Sequence, residues 1–305
     1  MLLFTSIKLF SKLFLLCVAF VLLTGSTFSQ SKSSGILYDD LGNEFNISVV
    51  PNRVISLAPN LTEMIFKLGV GNKIVGNTTF GNYPREAKSI SKVGDLISLN
   101  FEKIVELNPD LIFITVEGNN KQQYKKLKQL GFKVFVSNPR DYTGIKKTFS
   151  DLAKIFHVEK KAKNVIAKWD ETINSIRDSV KNKPKKTGMF LISVNPLMAA
   201  GPNTFINQYL KICGLKNIVS TTISNYPIVN REDVLQQNPD FIIISKRDSQ
   251  FINDVDSIFP EWKNLMAIKR KNIIKIDSDL FFRPGPRFAK AAQILFKKIT
   301  NKEHR

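Results

Sequence analysis

The chain has 305 residues, 43% of them hydrophobic, which is enough for two domains of ordinary size with buried cores. Its formal net charge of +19 would suit nucleic acid in a cytosolic protein. The lysines are scattered among asparagines, however, and the chain opens on an export-like segment, so a nucleic-acid partner is not expected and the excess reads either as a solvated surface or as attraction to anionic lipid or an acidic ligand.

Lys8 and Lys12 precede an apolar run at residues 13–23, and small residues follow as far as Ser29. A spanning helix would need roughly 20 apolar residues, so residues 1–29 read as a secretory signal, with cleavage after Ser29 and a periplasmic destination. Cys17 inside the run leaves a membrane lipid anchor as an alternative. Once the signal is removed only Cys213 remains, so no disulfide within the chain is expected and packing must hold the fold.

Residues 30–51 read as a leader and an edge hairpin turning at Asp40-Leu-Gly-Asn43. An N-terminal α/β lobe is expected over 52–157. It begins with a buried strand at 53–58 and a helix opened by Pro59-Asn60-Leu-Thr-Glu63, where Asn60 can cap and Glu63 can reach back in a capping box. A strand at 73–79 runs into the loop Phe80-Gly-Asn-Tyr-Pro84, and a helix at 121–130, a strand at 133–137 and a helix from Thr143 follow later. Alternation of this kind implies a mostly parallel sheet covered on both faces. From residue 158 to 182 apolar positions Ala162, Ile166, Trp169, Ile173, Ile176 and Val180 recur every three or four residues. They predict one long amphipathic helix, either a brace between two lobes or part of a single domain. The C-terminal α/β lobe, 183–305, has a strand at 188–194, a helix after Gly201-Pro-Asn203, the loop Ser224-Asn-Tyr-Pro-Ile228, a strand at 272–276, the loop 277–287 and a closing helix from Phe288.

One stretch occurs twice. Asn100-Phe-Glu-Lys-Ile-Val-Glu-Leu-Asn-Pro-Asp110 and the apolar run after it are answered by Asn230-Arg-Glu-Asp-Val-Leu-Gln-Gln-Asn-Pro-Asp240 and a second apolar run. Each copy reads as a short helix with an early acid, an Asn-Pro-Asp stop and a strand, which points to duplication of a whole small domain.

No nucleophile elbow, P-loop, dinucleotide fingerprint or HExxH helix is present. The two histidines, His157 and His304, cannot build a histidine-rich metal site. In open parallel sheets ligands sit beyond the strand ends, and junctions between domains favour pockets. Phe80 and Tyr83 of the first loop, Tyr226 of the second and Asp279 to Arg287 of the third therefore either line an aromatic, arginine-bearing cleft or belong to the core.

From Arg53 to about Ile299 the chain resembles the class III periplasmic substrate-binding proteins of ABC importers, and within them the vitamin-B12-binding proteins. The resemblance lies in Arg53-Val-Ile-Ser-Leu-Ala-Pro-Asn-Leu-Thr-Glu63, Asn100-Phe-Glu-Lys-Ile-Val105, Asn195-Pro196, residues 208–218, Tyr226-Pro-Ile-Val-Asn-Arg-Glu232 and residues 283–287. It implies two Rossmann-like α/β lobes with parallel sheets, bridged by one long α-helix, and a small-molecule ligand in the cleft between them. It also implies a monomer with no catalysis and no resident cofactor. The transported ligand would be cobalamin or a related corrinoid, or in the alternative a ferric siderophore or haem, for which Arg283 and Arg287 suit an anionic chelate. Carried over residue by residue, Phe80 and Tyr226 match pocket aromatics, Asp279 and Arg283 match pocket polar residues with Phe282 beside them, and Leu96 stands where such relatives have a tryptophan. Glu102 and Glu232 match paired surface glutamates that dock on the importer's permease. An exported enzyme acting on the cell envelope is the distant alternative.

Overall fold

Short apolar runs closed by turn residues become strands, and the amphipathic stretches between them become helices. The computed structural model describes residues 35–220, 224–246 and 259–303. The expected export signal with Cys17, nearly all of the expected leader and His304 lie outside the described residues. The strands are β1 (Ile36–Tyr38), β2 (Glu44–Asn46), β3 (Val54–Ser56), β4 (Ile74–Asn77), β5 (Leu111–Thr115), β6 (Val134–Ser137), β7 (Lys186–Val194), β8 (Leu197–Ala199), β9 (Leu215–Asn217), β10 (Phe241–Ser245) and β11 (Ile273–Ile276). The helices are α1 (Pro59–Lys67), α2 (Phe101–Glu106), α3 (Lys121–Gln129), α4 (Tyr142–Ile155), α5 (Glu159–Val180), α6 (Phe205–Ile212), α7 (Arg231–Gln237), α8 (Met266–Lys269), α9 (Ser278–Phe281) and α10 (Phe288–Glu303).

The duplication is visible in the pairing. The first parallel sheet runs β4-β3-β5-β6. In the second, β9, β7, β10 and β11 pair in the same sense and the same order, with β8 added antiparallel along the second half of β7. Each sheet thus places its second strand outside its first, and the repeated helix and strand, α2 with β5 and α7 with β10, occupy equivalent positions. The expected α/β architecture of two lobes with parallel sheets is the one observed.

The repeated Asn-Pro-Asp is a joint rather than a mere stop. Asn108 and Asn238 hold φ of +43° and +42°, a left-handed conformation that asparagine tolerates better than other side chains bearing a Cβ. Asp110 then accepts from the Asn52 and Arg53 amides at 2.7 and 2.8 Å, and Asp240 accepts from the Thr187 amide at 2.8 Å. Each aspartate fixes the chain entering the central strand of its own sheet. The amides of Arg53 and Asn52 also hold the Asp110 carboxyl below its usual range. A depressed folded-state value means stability that is present above the unfolded carboxylate pKa, near 3.9, and is lost as pH falls through the folded value. The stability difference between wild type and Asp110→Asn, followed by urea unfolding, is therefore expected to shrink as the pH is lowered below about 4. A difference that stays constant across that window would refute the assignment.

Helix α5 has 22 residues, about 33 Å at the helical rise. It packs on α4 of the first lobe and on α10 and α6 of the second. Trp169 on α5 meets Phe149 of α4 with ring centres 4.7 Å apart. Phe288 of α10 stacks on Tyr142 of α4 and on Tyr209 of α6. One apolar cluster consequently runs from Leu61 and Phe113 through Trp169 to Phe190 and Leu295, so the two lobes share a core beneath the helix. Separate clusters fill the outer faces of the two sheets.

Candidate functional site

The parallel strands of both sheets end toward the same set of loops. Beyond β4 lies the loop carrying Phe80 and Tyr83, and beyond β5 come Val116 and Glu117. Beyond β11 lies the segment from Asp277 to Arg287. Such strand ends are where open α/β sheets place ligands.

The loop after β4 is held from within. The Asn77 side-chain amide donates to the carbonyls of Gly81 and Ala87, and Lys92 Nζ donates to Asn77 Oδ1 at 2.7 Å and to the same two carbonyls. Burial lowers the pKa of that lysine. The ring of Phe80 is left 44% exposed, an aromatic face on a fixed support. Leu96 sits in a turn in which Asp95 Oδ1 accepts from the amides of Ile97 and Ser98 at 2.7 and 2.6 Å. These bonds also lower the Asp95 pKa.

Asp279 and Arg283 come together with two residues of the first lobe. Arg283 Nη1 donates to Glu63 Oε1 at 3.0 Å and to Asn82 Oδ1 at 2.9 Å, and its Nη2 lies 3.2 Å from Asp279 Oδ1. Asn82 donates to the other Asp279 oxygen at 3.0 Å. Arg287 Nε donates to Glu63 Oε2 at 2.7 Å, and its guanidinium lies 4.1 Å over the Tyr83 ring. Glu63 and Arg283 are both buried. The result is an ionic clamp across the lobes, with one carboxylate serving two guanidinium groups.

That clamp corrects one local expectation. Helix α1 starts at Pro59 after Ala58 with no side-chain cap. Asn60 instead donates to the Pro284 carbonyl at 3.3 Å, and Glu63 faces the arginines rather than its own helix start. Proline at the first position already lacks one of the amides that a cap would satisfy.

A second bridge crosses between the lobes at Tyr226. Glu117 Oε2 accepts from the Tyr226 hydroxyl at 3.3 Å, Glu117 Oε1 accepts from the Asn225 amide group at 3.2 Å, and Arg140 stands 4.0 Å from the same carboxylate. Burial first, and then the Glu117 charge, raise the Tyr226 pKa well above its ordinary value. Leu96 lies next to Gly118 in this group. Phe282 packs at 6.2 Å from Phe190 and is half-buried. Sequence reasoning passed over Glu117, although its position just past an apolar strand was the available signal.

Glu102 and Glu232 take no part in the bonds of either cluster. Each is exposed in the first turn of its helix, α2 or α7. Asn100 Oδ1 accepts from the Lys103 amide at 2.8 Å, and Asn230 Oδ1 accepts from the Glu232 amide at 3.0 Å. The two asparagines of the repeat thus cap equivalent helices, leaving each carboxylate at the positive helix end and free of any ion pair among the described residues.

Comparison with known proteins agrees with this architecture. The family model for periplasmic binding proteins matches residues 54–280. A vitamin B12-binding protein of Yersinia pestis is 29% identical over 250 residues, covering 82% of this chain and 86% of its own length. Among solved structures, the periplasmic vitamin B12 binding protein of Vibrio cholerae has a TM-score of 0.73 at 24% identity, over 84% of this chain and 99% of that one. A periplasmic heme-binding protein of Roseiflexus sp. RS-1, in apo form, has a TM-score of 0.73 at 21% identity, over 82% and 98%. These last two likenesses concern the fold. Members of the matched family bind small ligands and work with ABC importer permeases. By its fold, its duplicated lobes and the family match over most of its length, this chain belongs to the periplasmic binding protein family.

Proposed function

We propose that the protein is exported to the periplasm, captures cobalamin or a related corrinoid in the cleft between its lobes, and hands it to an ABC importer. The observation that carries this reading is the flat, apolar lining that the strand-end loops offer. Phe80 is exposed on a loop held by internal hydrogen bonds, and Leu96, Tyr226 and Phe282 are half-buried in other loops of the two lobes. Large ring systems are held by such surfaces with few polar contacts. Asp279, partly exposed at 38%, supplies a polar partner, while the Arg283 guanidinium is already occupied by Glu63, Asn82 and Asp279. Relatives in sequence that are vitamin B12-binding proteins support the same cargo. The protein acts as a monomer without a resident cofactor and performs no chemistry on its ligand.

Calorimetric titration of the purified protein with cyanocobalamin tests the reading. Saturable one-to-one heat is expected, and no heat at high excess would end the corrinoid version. Heme-binding proteins among the structural neighbours give a second reading specific content: hemin or a ferric siderophore binding where cyanocobalamin does not would decide for it.

The Glu117 bridge affects entry. Its bonds are partly exposed and are worth about 1 kcal/mol together, so Glu117→Ala should unfold within roughly that margin of wild type. If cargo must part Glu117 from Tyr226 on its way in, stopped-flow association should become roughly three- to tenfold faster in the variant. An unchanged association rate would place the entry path elsewhere.

A further inference from the structure

A cavity of about 850 Å³ opens beside helix α5, walled by α1, the Tyr83-Pro84 turn, α5 and the start of α10. Of the residues assigned to the cleft above, Tyr83, Pro286 and Arg287 line its edge, while Phe80, Leu96, Tyr226, Asp279, Phe282 and Arg283 do not. Its volume lies in the range of small-molecule sites.

The charge around it is one-sided. Lys67, Lys161, Lys168 and Lys290 line the cavity from three different helices, and all four are exposed. No ion pair is formed by any of them among the described residues. Of the two carboxylates in the wall, Glu63 is saturated by Arg283 and Arg287, so Glu86 alone faces four ammonium groups. The Lys161 ammonium is held against the chain at Gly69, filling the space that a Cβ there would need. Between the lysines the wall is apolar, formed by Phe66, Val165 and Trp169. Four like charges gathered around a partly apolar hollow repel one another until an anion arrives. Lysine is a point charge suited to phosphate rather than to a planar fork, and a bare phosphate would leave most of the cavity empty.

We propose that this cavity is a second ligand site, taking a phosphate group joined to an apolar or ring-bearing moiety, with the phosphate among the lysines and the apolar part against Phe66 and Trp169. It is built around α5 and none of Phe80, Leu96, Tyr226 and Phe282 lines it, so it does not depend on the cargo assignment. The ligand could be a soluble organic phosphate or the headgroup region of an anionic lipid, since the chemistry is the same.

The test uses the full-length mature protein, its Lys161→Glu/Lys168→Glu variant and the conservative Lys161→Arg/Lys168→Arg variant, each checked by thermal unfolding. Both lysines are exposed on α5, so the reversals should leave the fold intact. Calorimetry with 1-naphthyl phosphate is expected to give one-to-one binding that weakens at least about tenfold in the glutamate variant and persists in the arginine variant. Co-sedimentation with phosphatidylglycerol vesicles, with phosphatidylcholine vesicles as the neutral control, separates the sources. Naphthyl phosphate binding without vesicle binding assigns a soluble ligand, and vesicle binding abolished by the glutamate variant assigns the lipid. The proposal is overturned if neither probe binds, or if binding to both is unchanged in the glutamate variant.

Discussion

Replacing both Glu102 and Glu232 by arginine is expected to abolish cargo uptake while leaving cargo affinity within about twofold of wild type. The reason begins with what these side chains do not do. Both are exposed, and neither takes part in a hydrogen bond or ion pair through its carboxylate among the described residues, so neither is bonded to Tyr226 or the ionic clamp. The fold loses only a favourable dipole contact at each helix start, about 0.3–1 kcal/mol apiece. A permease surface that presents arginines to these carboxylates would instead meet like charges, and such juxtapositions cost several kcal/mol. Uptake in vesicles carrying the importer should therefore fall at least about a hundredfold. Calorimetry on the same variant is the discriminating control. A parallel loss of affinity would show that the glutamates serve the cleft, and undiminished uptake would show that they serve neither partner.

Glu63→Ala should produce the largest loss of stability of any single change considered for this chain. The substitution leaves Arg283, 7% exposed, and Arg287 without their shared carboxylate. Breaking a buried pair in this way costs about 3–5 kcal/mol, because a desolvated charge is left uncompensated. Asp279 still faces Arg283, which argues for the lower half of that range. The same physics predicts rescue. Adding Arg283→Met and Arg287→Met removes the orphaned charges, so the triple variant should recover most of the loss. Urea unfolding of the four proteins in the cycle provides the measurement. A Glu63→Ala protein within about 1 kcal/mol of wild type would mean that water, not the protein, satisfies these arginines.

The contrast between these two predictions follows what could be read along the chain. The long helix, the alternation of strand and helix and the repeated Asn-Pro-Asp segment were legible because each is a local pattern. Periodicity of 3.6 marks α5 and the doubled Asn-Pro-Asp marks two helix ends, whereas the left-handed asparagines and the anchoring bonds of the aspartates appear only in the fold. The exposed glutamates were legible for the same reason, since a helix start is written in a few consecutive residues. The clamp was not. Glu63 sits three residues after Asn60, the spacing of a capping box, and only the return of the chain more than two hundred residues later gives it guanidinium partners. Glu117 and Tyr226 are likewise joined across 109 positions, and no periodicity announces such a pair. The basic cavity beside α5 is drawn from three helices far apart in sequence, so scattered lysines looked like ordinary surface.

The core that continues beneath α5 from one lobe to the other has a consequence for signalling. With Phe149 packed on Trp169, and Tyr142, Phe288 and Tyr209 stacked in series, the lobes cannot swing like jaws without opening buried aromatic contacts. On the proposed function, the empty and loaded forms would then present nearly the same silhouette to the importer. If the proposed cargo binds in the cleft, its presence would have to be sensed locally, for example where the bridge from Glu117 to Tyr226 crosses between the lobes.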